Sequence, residues 1–192
     1  MEIKHGKLTI TGDIEKLPEG CVDRLIDAFD RVYLPIWERF GEGEPFEITY
    51  KLHEEAGIAY NAGKTIGLNP LWLVKNPEDI DCMTHELIHA AQHYPTYKHS
   101  WLVEGIADYG RGVFGINNEA CNWSLPAKYN GGEIKSGYRI TAAFLKFVEE
   151  NYRKDFVDVC HKALREQTFT MDLFKEATGL TADELWEAYK NA

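Results

Sequence analysis

Apolar and polar positions alternate through residues 46–52, where Phe46, Ile48 and Tyr50 are interleaved with Glu47, Thr49 and Lys51. Period-two alternation of this kind predicts a half-buried strand. A shorter strand is predicted over residues 7–11, closed by Gly12-Asp13. Between the two the period changes. Val22, Leu25, Ile26, Phe29, Val32 and Tyr33 recur at helical spacing, in a helix opened by Pro18–Gly20 and ended by the Gly-rich loop 41–45. Residues 58–60 and 64–68 read as two extended pieces around a hairpin-like turn at Asn61-Ala62-Gly63. Beyond them the pattern is helical. Asn76–Asp79 is expected to cap a helix over residues 80–93 that Pro95 stops, and a second helix spans 100–111. A Gly-, Asn- and Ser-rich stretch, 112–135, reads as surface loop, followed by helices over 138–152, 156–167 and 181–190. Thr181 and Glu184 form the capping box of the last. The sum is an α+β plan in a single domain, 1–192, with a small, mostly antiparallel sheet followed by a helical C-terminal half.

Charge narrows the partners. The 192 residues carry 21 Lys and Arg against 31 Asp and Glu, a net charge of −10. A chain so acidic lacks the basic footprint that nucleic acids and anionic membranes demand. No apolar run approaches the roughly 18 residues of a membrane span. Residues 1–7 lack the apolar stretch of a signal peptide. The chain is therefore expected to be cytoplasmic, or secreted or periplasmic if a leader was removed. Cys21, Cys82, Cys121 and Cys160 contain no CxxC pair, which excludes a zinc ribbon. Their even number permits two disulfides, but a chain of this length does not need them, so free thiols are expected.

The chemistry concentrates in His85-Glu86-Leu87-Ile88-His89, an HExxH pattern inside a predicted helix. Residues i and i+4 lie one above the other on one helix face, so both imidazoles can address a single ion. Glu86 projects to the side where a water held by that ion would sit. A catalytic zinc wants a third protein ligand and one open position. His93 continues the stripe but lies about 12 Å along the axis from His85, too far for bonds of about 2 Å. A Gly turn followed by a third His, the metzincin arrangement, is excluded because Gln92 and Pro95 occupy those places. The next helix offers Glu104 and Asp108, four apart on a face otherwise apolar at Leu102, Val103, Ile106 and Ala107. Two buried acids are costly without a cation or donors. Glu104 on the metal and Asp108 on a ligand imidazole N–H would remove both costs; the alternative is that both acids face solvent. Two His and a carboxylate also suit non-haem iron, but the one-helix spacing with its intervening Glu favours zinc. Cys82 lies one turn before His85. A fourth protein ligand would close the site, so a buried thiol is expected there.

This pairing resembles the gluzincins, thermolysin-like peptidases whose zinc ligands are the two motif histidines and a Glu on a following helix, within an ExxxD arrangement matched by Glu104 and Asp108. Residues 85–92 and 101–111 are similar to the basic secretory protein family of plant and bacterial peptidases. Further similarity lies in Gly57-Ile58-Ala59-Tyr60, in residues 137–145 and in Leu185-Trp186-Glu187-Ala188-Tyr189-Lys190. The resemblance implies a zincin-like fold, with the sheet packed on the active-site helix. It implies zinc held by His85, His89 and Glu104, Glu86 as general base, and a peptide or protein substrate. Such enzymes also use a Tyr or His donor for the oxyanion. Tyr138, which follows a Gly-rich loop and starts a helix, is the first choice, ahead of Tyr129, Tyr109 and His99. The chain departs from the family in its acidity and in showing no leader.

The expected function is that of a monomeric zinc-dependent peptidase. A zinc- or partner-binding module without turnover and an amide hydrolase acting on non-peptide substrates are the alternatives. Residues 58–68 are expected to supply the sheet edge beside the site, where an extended peptide could add as a further strand tuned by Ala59, Asn61 and Thr65. Equally open is an edge covered by the 112–135 loop.

Overall fold

The computed structural model describes residues 1–192. The chain divides into two compact units, Met1–His93 with Gly110–Trp123, and Tyr94–Tyr109 with Ser124–Ala192.

The first unit is built on a five-stranded sheet: β1 (Glu2–His5), β2 (Leu8–Gly12), β3 (Ile48–Leu52), β4 (Ala59–Ala62) and β5 (Thr65–Leu68), in the order β1-β2-β3-β5-β4. Helices α1 (Cys21–Phe40), α2 (Pro70–Lys75) and α3 (Cys82–Gln92) complete it, with the last residues of α4 (Ser100–Phe114). The α+β plan holds, but the sheet is mixed and not mostly antiparallel. β1–β2 and β4–β5 pair antiparallel, whereas β2–β3 and β3–β5 pair parallel. The reason lies in α1. Parallel neighbours need a crossover, and the helix between β2 and β3 supplies one. After β3 the chain passes to the edge as β4, and the hairpin folds β5 back between them. Residues 58–68 are therefore an edge only in part: β4 lies outermost, while β5 is paired on both sides.

Register aligns the core rows. Leu8 faces Ile48, Ile10 faces Tyr50, and Tyr50 and Leu52 face Ile66 and Leu68. All seven are 1% exposed or less. The buried stripe of α1 lies on this face, with the Phe29 ring edge-on to Tyr50 at 6.1 Å. Each such side chain contributes about 1.5–3 kcal/mol through burial.

One strand and one α-helix of this unit lie outside the sequence expectation, β1 and α2. The latter begins with Pro70 and is capped by the Asn69 side chain, which accepts from the Leu71 N–H at 2.9 Å. The 76–79 segment does not cap α3, whose N-cap is Asp81. Asp79 instead accepts from Arg111 at 2.6 Å and from the Trp72 indole at 2.9 Å. Asp81, fully buried, accepts from the Thr84 hydroxyl at 2.7 Å and the Asn117 N–H at 2.5 Å. The loop after α4 is thus pinned to the start of α3. His93, in the left-handed region at φ 38°, ends α3 with its N–H on the His89 carbonyl.

The second unit holds the first part of α4, then α5 (Tyr138–Asn151), α6 (Phe156–Arg165), α7 (Asp172–Thr178) and α8 (Ala182–Lys190). Its core is aromatic. Phe144 stacks on Phe174 at 5.9 Å and meets the edge of Trp186 at 5.0 Å. The α8 capping box forms, with Thr181 and Glu184 bonded reciprocally. No helix is long and apolar enough to cross a membrane.

Candidate metal centre

Helix α3 is buried on nearly every side, flanked by α1 and by β4 and β5. His85 and Glu86 are each 9% exposed. Four residues on one helical face bring the two imidazoles together. His85 Nε2 and His89 Nε2 lie 3.0 Å apart, with the rings at 82° to each other. Two nitrogens bound at about 2.05 Å to a tetrahedral ion would be about 3.3 Å apart, so the pair has the spacing of a chelate. His89 Nδ1 lies 2.9 Å from Gln92 Oε1. An acceptor there keeps the ring proton on Nδ1 and leaves Nε2 as the donor atom. Gln92 is a neighbour of His89 that sequence reasoning missed, although its i+3 spacing was a visible signal.

The second helix meets α3 at a position without a side chain. A Cβ on Gly110 would stand 2.5 Å from Ile88 Cδ1, so any larger residue there would have to displace the Ile88 side chain. His85, His89 and Glu104 each offer one ligand atom, and these atoms lie within 4.8 Å of one another. Asp108 is 6% exposed, so it is no part of a solvated acidic stripe.

Within the second unit, Tyr97 and Gly137 lie near Glu104. The Tyr97 hydroxyl donates to Glu104 Oε1 at 2.5 Å. Tyr97 sits in the loop before α4 and no sequence periodicity marks it. Gly137 passes nearby: a Cβ there would be 3.6 Å from Trp101 Cα and 3.9 Å from Glu104 Cβ, ordinary contact distances. Tyr138 follows at once. It opens α5 with φ 45°, an uncommon conformation for a residue other than glycine, and it is 57% exposed. Tyr138 is thus an exposed phenol at the start of α5, next in the chain to Gly137. Of the other donors considered, Tyr109 is committed to Glu149 and Tyr129 to the Gly132 carbonyl. The His99 ring stands edge-on to Phe169.

Cys82 is 5% exposed, and burial pushes its thiol well above the ordinary range, so it stays protonated and a poor ligand. All four cysteines are free thiols.

Residues 37–189 match the BSP family, described as peptidases of plants and bacteria. The chain belongs to this family. The matched span takes in α3, α4 and α5 whole, and leaves out β1, β2 and most of α1. Among solved structures, this BSP chain is similar to a mutant of a two-domain M1 zinc metallopeptidase bound to L-tryptophan. That match has a TM-score of 0.54 and 16% identity, and covers 99% of this chain and 50% of that one. It is also similar to a mutant M1 zinc metallopeptidase from Deinococcus radiodurans, with a TM-score of 0.53, 12% identity, and coverage of 98% and 50%. At such identities the likeness is one of fold. This chain spans about half the length of both structures. No curated protein matches its sequence.

Proposed function

We propose that this BSP-family chain is a zinc-dependent peptidase working as one catalytic domain, with His85, His89 and Glu104 as the metal ligands. The convergence of two imidazole nitrogens and one carboxylate oxygen within 4.8 Å carries the reading. That donor set suits zinc with one position left open. When bound, zinc supplies Lewis-acid activation of a water and of the scissile carbonyl. Glu86, beside His85 in a nearly dry setting, takes the proton from the attacking water and passes it to the leaving amine. The Tyr138 phenol donates to the oxyanion of the tetrahedral intermediate. Asp108, buried, receives an imidazole N–H and orients its ring.

The test is metal analysis of the purified protein with a peptide-hydrolysis assay. One zinc per chain is expected, lost together with activity in His89→Ala. A protein that holds no metal, or holds it equally well without His89, defeats the reading. Asp108→Ala should weaken zinc affinity roughly 10–100-fold with the ligands intact, by competition with a chelator; unchanged affinity removes Asp108 from the site. Tyr138→Phe should lower kcat roughly 100-fold at full zinc occupancy, and an unaltered kcat reassigns the oxyanion donor.

Substrate binding is assigned to β4. It is one of the two edge strands, β1 being the other, and its Asn61 amide reaches the Glu86 carbonyl at 3.4 Å, which ties this edge to the catalytic helix. Asn61 also accepts from the Gly63 N–H at 3.0 Å, so it shapes the turn more than it meets a substrate. Thr65, on the interior strand β5, has no place in the edge. An extended peptide would pair with the outer backbone groups of β4.

A further inference from the structure

We propose that Tyr97 restrains Glu104 to binding the metal through a single oxygen, and so keeps a coordination position open for water. The inference rests on the reading of Glu104 as a metal ligand and adds a positioning residue to it.

A carboxylate can hold an ion through one oxygen or two. With two histidines already bound, a two-oxygen grip would fill the position that catalysis needs. The structure engages one Glu104 oxygen elsewhere: Oε1 accepts from the Tyr97 hydroxyl at 2.5 Å. That is the short end of the range for a hydroxyl bonded to an ionised carboxylate, a bond about twice as strong as a neutral one. An oxygen so engaged is a poorer metal donor, which leaves Oε2 as the ligand. Gly137 passes near the base of the Glu104 side chain, where even an added Cβ would come no closer than 3.9 Å to Glu104 Cβ, so the tip of the carboxylate is held by Tyr97 and not by crowding at its base. A phenol suits the task because it is a neutral donor. It marks one oxygen without cancelling the negative charge that the ion requires, as a lysine there would.

Tyr97 is 54% exposed and lies outside regular structure, so Tyr97→Phe removes one hydroxyl without opening a core cavity. The test uses the full chain with cobalt(II) in place of zinc, because the visible absorption of cobalt reports coordination number. The wild type should bind one cobalt with the intense band of a four-coordinate site, and His89→Ala should abolish it. If His89→Ala leaves the band unchanged, the metal-site reading itself has failed, whatever Tyr97 does. With that control in place, Tyr97→Phe, its fold checked by far-UV circular dichroism, should weaken the band severalfold as Glu104 takes up a second bond. An unchanged band overturns the proposal. That includes the case in which kcat alone falls, which would make Tyr97 a group acting on substrate.

Discussion

Glu86→Gln is expected to retain one zinc per chain and to lose peptide hydrolysis by about 10²–10⁴-fold, the range for removal of a general base. The substitution keeps the shape of the side chain and deletes only its capacity to take a proton. Glu86 is 9% exposed and lies in a helix flanked by β4, β5 and α1, so an isosteric amide fits where a larger change would disturb both histidines. Metal content and kcat must therefore separate. If zinc is lost in parallel with activity, Glu86 supports the metal site and is not the base. If activity persists, the proton goes elsewhere.

The second large effect is on stability. Arg111→Met should destabilise the protein by about 3 kcal/mol, the low end for a broken buried pair, because it strips a largely covered carboxylate of its counter-charge. Arg111 and Asp79 have side chains 7% and 13% exposed, and they meet at 2.6 Å. The guanidinium also donates to Asn118 at 2.9 Å and lies over the Trp123 ring at 4.3 Å. One substitution thus loosens the loop that closes on the start of α3. The loss is a large part of the 5–15 kcal/mol that usually holds a domain together, and urea unfolding would register it. The double variant Arg111→Met with Asp79→Leu should recover much of the loss, since no uncompensated charge then remains. A single variant within 1 kcal/mol of the wild type would mean that water reaches Asp79 freely.

Much of the candidate site was legible from the chain because its geometry is local. His85 and His89 share a face of any α-helix, whatever surrounds it, and Glu104 and Asp108 share a face of the next. The elimination of His93 followed from the helical rise alone. The longer helices were legible for a similar reason: the periodic apolar stripes of α1, α5 and α8 and the Thr181–Glu184 box are short-range signals. Short elements were less so. α2 and α7 are six and seven residues long, too few to display a period.

What the sequence determined by itself was chemistry and local conformation: which groups can donate to a metal, and which of them a helix must present together. The tertiary structure alone decided pairings that no local period announces. It set the parallel neighbours of β3, although the twenty-residue α1 between β2 and β3 was the crossover that should have suggested them. It sent Asp79, read as a cap, to Arg111, 32 residues on. It brought Tyr97 onto Glu104 and placed Gly137 near that residue's base. The physical reason is that hydrogen-bonding side chains carry no address. A phenol or a carboxylate finds its partner only after burial of the apolar faces has fixed where the backbones run.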